Sequence, residues 1–225
     1  GTSVSAGHVR IFLFNDATDT WDQLGLDIDG IAPGVLSGSS VALSNNGSRV
    51  AISSPLANSH AGNVNVYEYT SGNESWVEIG AGISGEDSGD HSGNSVSMSE
   101  DGRRVAIGAR YNDGGGLNAG HLRLYEFYEA CNSWVQVGND KDGDAAGNYC
   151  GWSVSISGDW IAVGCPFADG GYVQVYFPDV PSPTSHPSVV PSEGPSLNPT
   201  LNPTKKIPSS QPTTAPSIMP SSLPS

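Results

Sequence analysis

Residues 151–177, GWSVSISGDWIAVGCPFADGGYVQVYF, hold three strand patterns in a row, and each of their phrases recurs upstream. Gly-x-Ser-Val-x-x-Ser stands at residues 38–44, 93–99 and 151–157, so that Val41, Val96 and Val154 lie 55 and 58 residues apart. Arg49-Val50-Ala51-Ile52, Arg104-Val105-Ala106-Ile107 and Trp160-Ile161-Ala162-Val163 follow in step. A third strand then starts at Gly62, Gly120 and Gly171, with an earlier copy at Gly7. Trp21, Trp76 and Trp134 close the units, each leading to a glycine at Gly25, Gly80 and Gly138. Apolar residues at period two mark each phrase as a strand with one face to bury. A repeat of about 50 to 60 residues carrying four such strands cannot cover both its faces alone, and this predicts a propeller of stacked blades.

The residues resemble the FG-GAP repeat family, the repeat of the integrin α-subunit head. Cys150-Gly151, Gly164-Cys165-Pro166 and Gly171-Tyr172-Val173-Gln174-Val175-Tyr176-Phe177 carry the likeness best. Ser92-Gly93 with Gly108-Ala109-Arg110, and Ser37-Gly38 with Ser53-Ser54-Pro55, keep the glycines without the Phe. The resemblance covers residues 1–177 and implies an all-β, propeller-like array of four-stranded antiparallel blades. Two blades are complete, from Gly38 and from Gly93. Two are partial: the opening unit lacks a Val-Ala-Ile strand, and the unit from Gly151 reaches Phe177 without its tryptophan strand. About fourteen strands result by this reading, with Gly1 to Ser5 as the relic of an inner strand. An incomplete array leaves apolar faces open, so further repeats in cis or self-association are expected.

From Pro178 the composition changes to Pro, Ser and Thr, with proline at positions 183, 187, 191, 195, 199 and 203. Proline fixes φ and the segment has little to bury, so residues 178–225 are expected to be an extended, disordered stalk. Its charges cancel, and the formal charge of −14 therefore lies on residues 1–177. Such a surface disfavours nucleic acid, which needs clustered Lys and Arg. It suits a divalent cation or a basic partner. No run approaches the roughly 18 apolar residues of a membrane helix, and the opening GTSVSAGHVR has no hydrophobic signal core. Cys131, Cys150 and Cys165 all fall in the last repeats, and Cys150 and Cys165 flank one hairpin, within disulfide reach if its register is favourable.

The candidate metal ligands are Asp140, Asp142 and Asp144 in Asn139-Asp140-Lys141-Asp142-Gly143-Asp144, where alternate carboxylates and a glycine could wrap calcium. The resemblance places calcium in a different turn, and those turns are short here, at residues 45–48, 100–103 and 158–159. Asp27 with Asp29, and Glu86 with Asp87 and Asp90, cluster in the matching loops. His8 and His121 share one repeat position, expected at a strand end. The Gly-x-Ser-Val strands offer Ser39, Ser40, Asn94, Ser95, Ser153 and Trp152, without the nucleophile and base that hydrolysis requires. Asn46 and Asn73 begin glycosylation acceptor triplets on expected turns. The sequence thus reads as a non-enzymatic extracellular recognition or adhesion module on a Pro-Ser stalk, at a cell surface or wall, with an extracellular protein or glycan as partner. Its alternatives are a structural wall protein assembling through blades and a secreted hydrolase.

Overall fold

The computed structural model describes residues 4–177, so residues 1–3 and the expected stalk at 178–225 lie outside the described residues. The first unit contains β1 (His8–Val9), β2 (Phe12–Asn15), β3 (Thr20–Gln23) and β4 (Ile28–Asp29). The second is β5 (Val41–Leu43), β6 (Arg49–Ser54), β7 (Asn63–Thr70), β8 (Ser75–Glu78) and β9 (Ile83–Ser84). The third repeats it as β10 (Ser95–Met98), β11 (Arg104–Ala109), β12 (His121–Tyr128), β13 (Ser133–Gln136) and β14 (Lys141–Asp142). The fourth has β15 (Ser153–Ser157), β16 (Trp160–Cys165) and β17 (Tyr172–Tyr176). These are antiparallel meanders of β-propeller type, two complete and two partial.

The strand segments outnumber the fourteen expected because the outer strand of each blade is broken. β8 and β9 both pair with β7, and β13 and β14 both pair with β12. The break falls at Gly80 and Gly138, whose φ angles of 68° and 70° are left-handed and interrupt the ladder. In the first unit the third strand is also interrupted, so β1 pairs with β4 and β2 with β3. Val4 and Ser5 are a turn rather than an inner strand. Their carbonyls accept from the amides of Gly34 and Leu36, and Ala6 accepts from Ser37, so this segment is the lead-in to Gly7.

Alternation places the apolar side chains between blades. Val96 pairs with Ile107 and Met98 with Val105, and all four pack against Ala51, Val64 and Val66 of the preceding blade. Leu122, Leu124 and Ala106 meet Ile161 and Val163 in the same way, and Ile11 and Ile28 meet Val50 and Ile52. Ala51 and Ala106 are fully buried at these contacts. A larger side chain there would hold the sheets apart, which is why alanine recurs mid-strand.

Polar groups fix the stacking. The Val96 amide donates to Ser40 Oγ at 3.1 Å and the Ile156 amide to Ser97 Oγ at 3.0 Å, while Ser95 Oγ donates to the Gly151 carbonyl at 2.8 Å. Arg49 reaches from the second blade to Glu129 of the third, and Arg104 from the third to Asp159 of the fourth. The tryptophans act across blades too. Trp76 Nε1 donates to the Leu24 carbonyl at 2.8 Å, and Trp134 Nε1 to Ile79 at 3.0 Å. Each indole lies where a side chain on the preceding blade's Gly25 or Gly80 would stand. The spacing from Trp to Gly therefore records a contact between neighbours rather than a local turn alone. Trp134→Phe keeps the ring and removes the donor, so it is expected to cost about 1 kcal/mol, read by urea denaturation.

Candidate functional site

The loops entering each Gly-x-Ser-Val strand, and those leading into each third strand, meet at one end of the blades. Amide bonds tie them together: His91 donates to the His60 carbonyl, Tyr111 to Asp90 and Tyr149 to Asn118. Leu36, His91 and Tyr149 hold one repeat position, two residues before the glycine of that strand, with φ angles of 56°, 55° and 53°. A non-glycine residue held left-handed at the same place in successive units is strain the surrounding fold maintains, a feature that concentrates at functional sites.

Rings line this end. His91 lies 4.8 Å from Tyr111, Tyr111 5.7 Å from Tyr149, Tyr149 5.2 Å from Phe167, and Phe167 5.3 Å from Trp152, all edge to face. The Arg110 guanidinium is 4.8 Å from the Tyr111 ring centroid and 4.4 Å from that of Trp152, a cation between two π-faces. Its Nε is buried without a hydrogen-bond partner among the described residues. Phe167 is 61% exposed and Trp152 40%. Cys150 and Cys165 form a disulfide with Cα atoms 4.1 Å apart, and Cys131 is an exposed free thiol. The bridge joins Tyr149-Cys150-Gly151-Trp152 to Cys165-Pro166-Phe167, stapling the two loops that carry the exposed end of the ridge.

Each of the acidic loop residues has its own partners. Asp140 accepts two bonds from Arg123, at 2.9 and 2.6 Å, and one from Gln136 at 2.6 Å. Asp142, opposite His121 in the ladder, has Oδ1 3.9 Å from Nδ1 of that imidazole. Asp144 accepts from the Tyr172 hydroxyl at 3.1 Å and from Gln174 at 3.3 Å in the next blade. The other clusters likewise brace the blades. Asp27 accepts from Arg10 at 2.9 and 2.7 Å and from Gln23 at 2.9 Å, the arrangement of Asp140 two units later. Asp87 donates its amide to Asp90 at 3.2 Å, and Asp90 and Glu86 accept from Asn112. Asp29 pairs with His8 across the ladder.

Hydrogen bonds from Arg10 and then Gln23 hold the Asp27 carboxyl at about 2. A depressed carboxyl stabilises the fold fully above its ordinary value near 3.9 and loses that contribution as pH falls through its folded value. Circular dichroism between about pH 4 and pH 2 is therefore expected to show acid loosening of the first unit, flattened in D27N.

Sequence reading named Trp152 but missed the ridge around it. The available signal was an aromatic at Tyr111 and Phe167, equivalent positions just beyond the second strand. The polar residues expected on the inner strands divide: Ser40 and Ser95 bond neighbouring backbone, Ser39 donates to Leu36, Asn94 donates to the Trp152 carbonyl, and Ser153 is exposed. Asn46 and Asn73 are exposed on turns, as glycan attachment would need.

A family model described as FG-GAP repeat matches residues 84–125 and 139–176. No curated protein matches the sequence. Among solved structures, the chain is similar to a protein provisionally assigned as a 6-phosphogluconolactonase from Bacteroides uniformis, at 18% identity and TM-score 0.54, covering 78% of this chain and 46% of that one. A periplasmic gluconolactonase of Pseudomonas aeruginosa is similar at 13% identity and TM-score 0.45, over 73% and 45% of the two chains. The β-propeller domain of the Trilobed protease from Pyrococcus furiosus is similar at 14% identity and TM-score 0.41, over 74% and 45%. The chain thus spans less than half the length of each of these structures, and the likeness to the Bacteroides uniformis protein concerns the fold. Among the described residues no helix is long and apolar enough to cross a membrane. The FG-GAP repeat pattern is thus carried by residues 84–125 and 139–176, the third and fourth units of this β-propeller-type array.

Proposed function

We propose that the chain is a non-enzymatic extracellular recognition or adhesion module whose contact surface is the disulfide-stapled ridge of Tyr111, Tyr149, Phe167 and Trp152 with Arg110. The observation that carries this reading is the ridge itself: the exposed Trp152 and Phe167 and the half-buried Tyr111 and Tyr149, held by a covalent bridge and flanking a cation. Aromatic and Arg side chains offer large contact area with few rotors to freeze, the composition of binding hot spots. The disulfide suits an oxidising, extracellular setting. The partner class is an extracellular protein or glycan. Against catalysis stand the serines, for among the described residues no hydroxyl or thiol is hydrogen-bonded to a histidine, and Ser40, Ser95 and Ser97 stitch blades together. Saturable retention on arrayed glycans or extracellular matrix proteins, without turnover of lactone, ester or peptide substrates, is the expected result. Turnover of any of these by the purified chain would sink the non-enzymatic reading.

A second reading, assembly through blades, is favoured by the end faces. Val41 and Leu43 on one side are 50% and 51% exposed, and Val173 and Val175 on the other 65% and 60%. Sedimentation velocity of residues 1–177 is expected to show concentration-dependent association, reduced in V173T/V175T; a compact monomer throughout would remove this reading.

Calcium at Asp140, Asp142 and Asp144 remains a proposal from the sequence. Calorimetric binding that disappears when all three become Asn would support it, and binding that survives would place calcium elsewhere.

A further inference from the structure

His121 is a buried side chain whose chemistry the blade packing leaves unused. It is 2% exposed, and its Nδ1 has no hydrogen-bond partner among the described residues. Two carboxylate oxygens face that nitrogen at distances too long for a hydrogen bond: Glu86 Oε2 at 4.0 Å, from the preceding blade, and Asp142 Oδ1 at 3.9 Å, across the ladder. Ligand atoms of Glu86, His121 and Asp140 lie within 4.8 Å of one another. A buried polar nitrogen without a partner costs on the order of 1–3 kcal/mol, so a group aimed at acceptors it cannot reach points to something between them.

The surrounding charges shape this gap. Arg123 bonds both oxygens of Asp140 and also contacts Glu86 through Oε1, which turns Glu86 Oε2 towards the imidazole. Asn112 Nδ2 donates to the same Oε2 at 3.3 Å. His121 is buried with its Nδ1 unpartnered, which leaves that nitrogen as the atom available to an ion. Even with Arg123 counted, Glu86, Asp140 and Asp142 leave a net charge that a divalent ion would balance. The second blade has no such set. There Asn63 and Ser84 hold the places of His121 and Asp142, and Ser84 Oγ donates to Asn63 Oδ1 at 3.2 Å, closing the same cross-strand gap with an ordinary hydrogen bond.

We propose that His121 Nδ1, Glu86 and Asp142 form a site between the second and third blades for a divalent transition-metal ion of the zinc type, with Arg123 and Asp140 as positioning residues. One imidazole with two carboxylates, and a fourth position open to solvent beside the half-exposed Glu86 and Asp142, is a donor set that zinc accepts and that calcium, which takes six to eight oxygens, does not favour. Bonds of about 2.0–2.2 Å require the Glu86 and Asp142 oxygens to move from 4.0 and 3.9 Å to roughly 3.3 Å from His121 Nδ1.

The test uses the full chain and zinc chloride. Titration calorimetry is expected to show one zinc bound per chain, and ¹H–¹⁵N spectra of the histidine rings to show the His121 nitrogens shifting as zinc is added. H121N/D142S imports the residues of the second blade, so the repeat itself argues that it folds, and it is expected to weaken zinc binding at least about tenfold. Absence of zinc binding, unshifted His121 resonances with zinc bound, or undiminished affinity in the double variant would each overturn the proposal. The ring spectra decide the matter even if that variant fails to fold. Calcium displacing zinc at equal concentration would also overturn it.

Discussion

Replacing Gly62 with alanine is expected to abolish most of the folded population, a loss of about 3–5 kcal/mol. Gly62 has φ +91° and starts the third strand of its blade, where it bridges in parallel to Ser92 at the next blade. A Cβ there would stand 2.0 Å from the Ser92 carbonyl oxygen, a backbone atom that cannot move without parting the blades. Gly7 and Gly120 make the same approach to Ser37 and Cys150, so the contact belongs to the repeat. Gly147 supplies the control. Its φ is +76° but nothing lies within 4 Å of a built Cβ, so G147A should cost only the left-handed penalty of about 1–2 kcal/mol. Urea denaturation of both variants separates backbone strain from the close approach; equal losses would show that the bridge to Ser92 is unimportant.

The second large effect is expected from the disulfide. Cys150 and Cys165 close a loop of 15 residues, and constraint of the unfolded chain by such a loop is worth about 3 kcal/mol. Both sulfurs are buried, so C150A/C165A leaves no unsatisfied polar group in their place. For a body of this size the Tm is expected to fall by roughly 6–12 °C, with a similar fall in dithiothreitol. Cys131, exposed and unbridged, should react with a maleimide without changing Tm. If the oxidised and reduced proteins melt together, the bridge does not brace the ridge.

Strands, blade order and the positions of the repeated glycines and tryptophans were legible because each is tied to a short periodic phrase. The cross-blade meaning of those phrases was not, since Trp134 and its acceptor Ile79 are 55 residues apart and look like parts of separate turns. The outer-strand break was hidden for a similar reason: Gly80 reads as a unit boundary, yet the chain beyond it returns to the same sheet as β9. The acidic loop shows the limit most clearly. The spacing made Asp140, Asp142 and Asp144 legible as a group, but not their partners Arg123, His121 and Tyr172, which come from the neighbouring strand and the next blade. His8 and His121 occupy one repeat position, yet only His121 is buried, because the preceding blade supplies Glu86 beside it. The ridge was illegible since its rings come from loops of three units and meet only after the blades stack.

Recognition through the stapled ridge is tested by surface plasmon resonance of the full chain against the arrayed glycans and matrix proteins, wild type beside W152A/F167A. Both residues are exposed and their truncation should leave Tm within a few degrees of wild type. A ligand retained by the wild type is expected to lose at least about tenfold in affinity in the variant, as removal of an aromatic hot spot does. A folded variant that binds every ligand as tightly as the wild type would contradict recognition through the ridge.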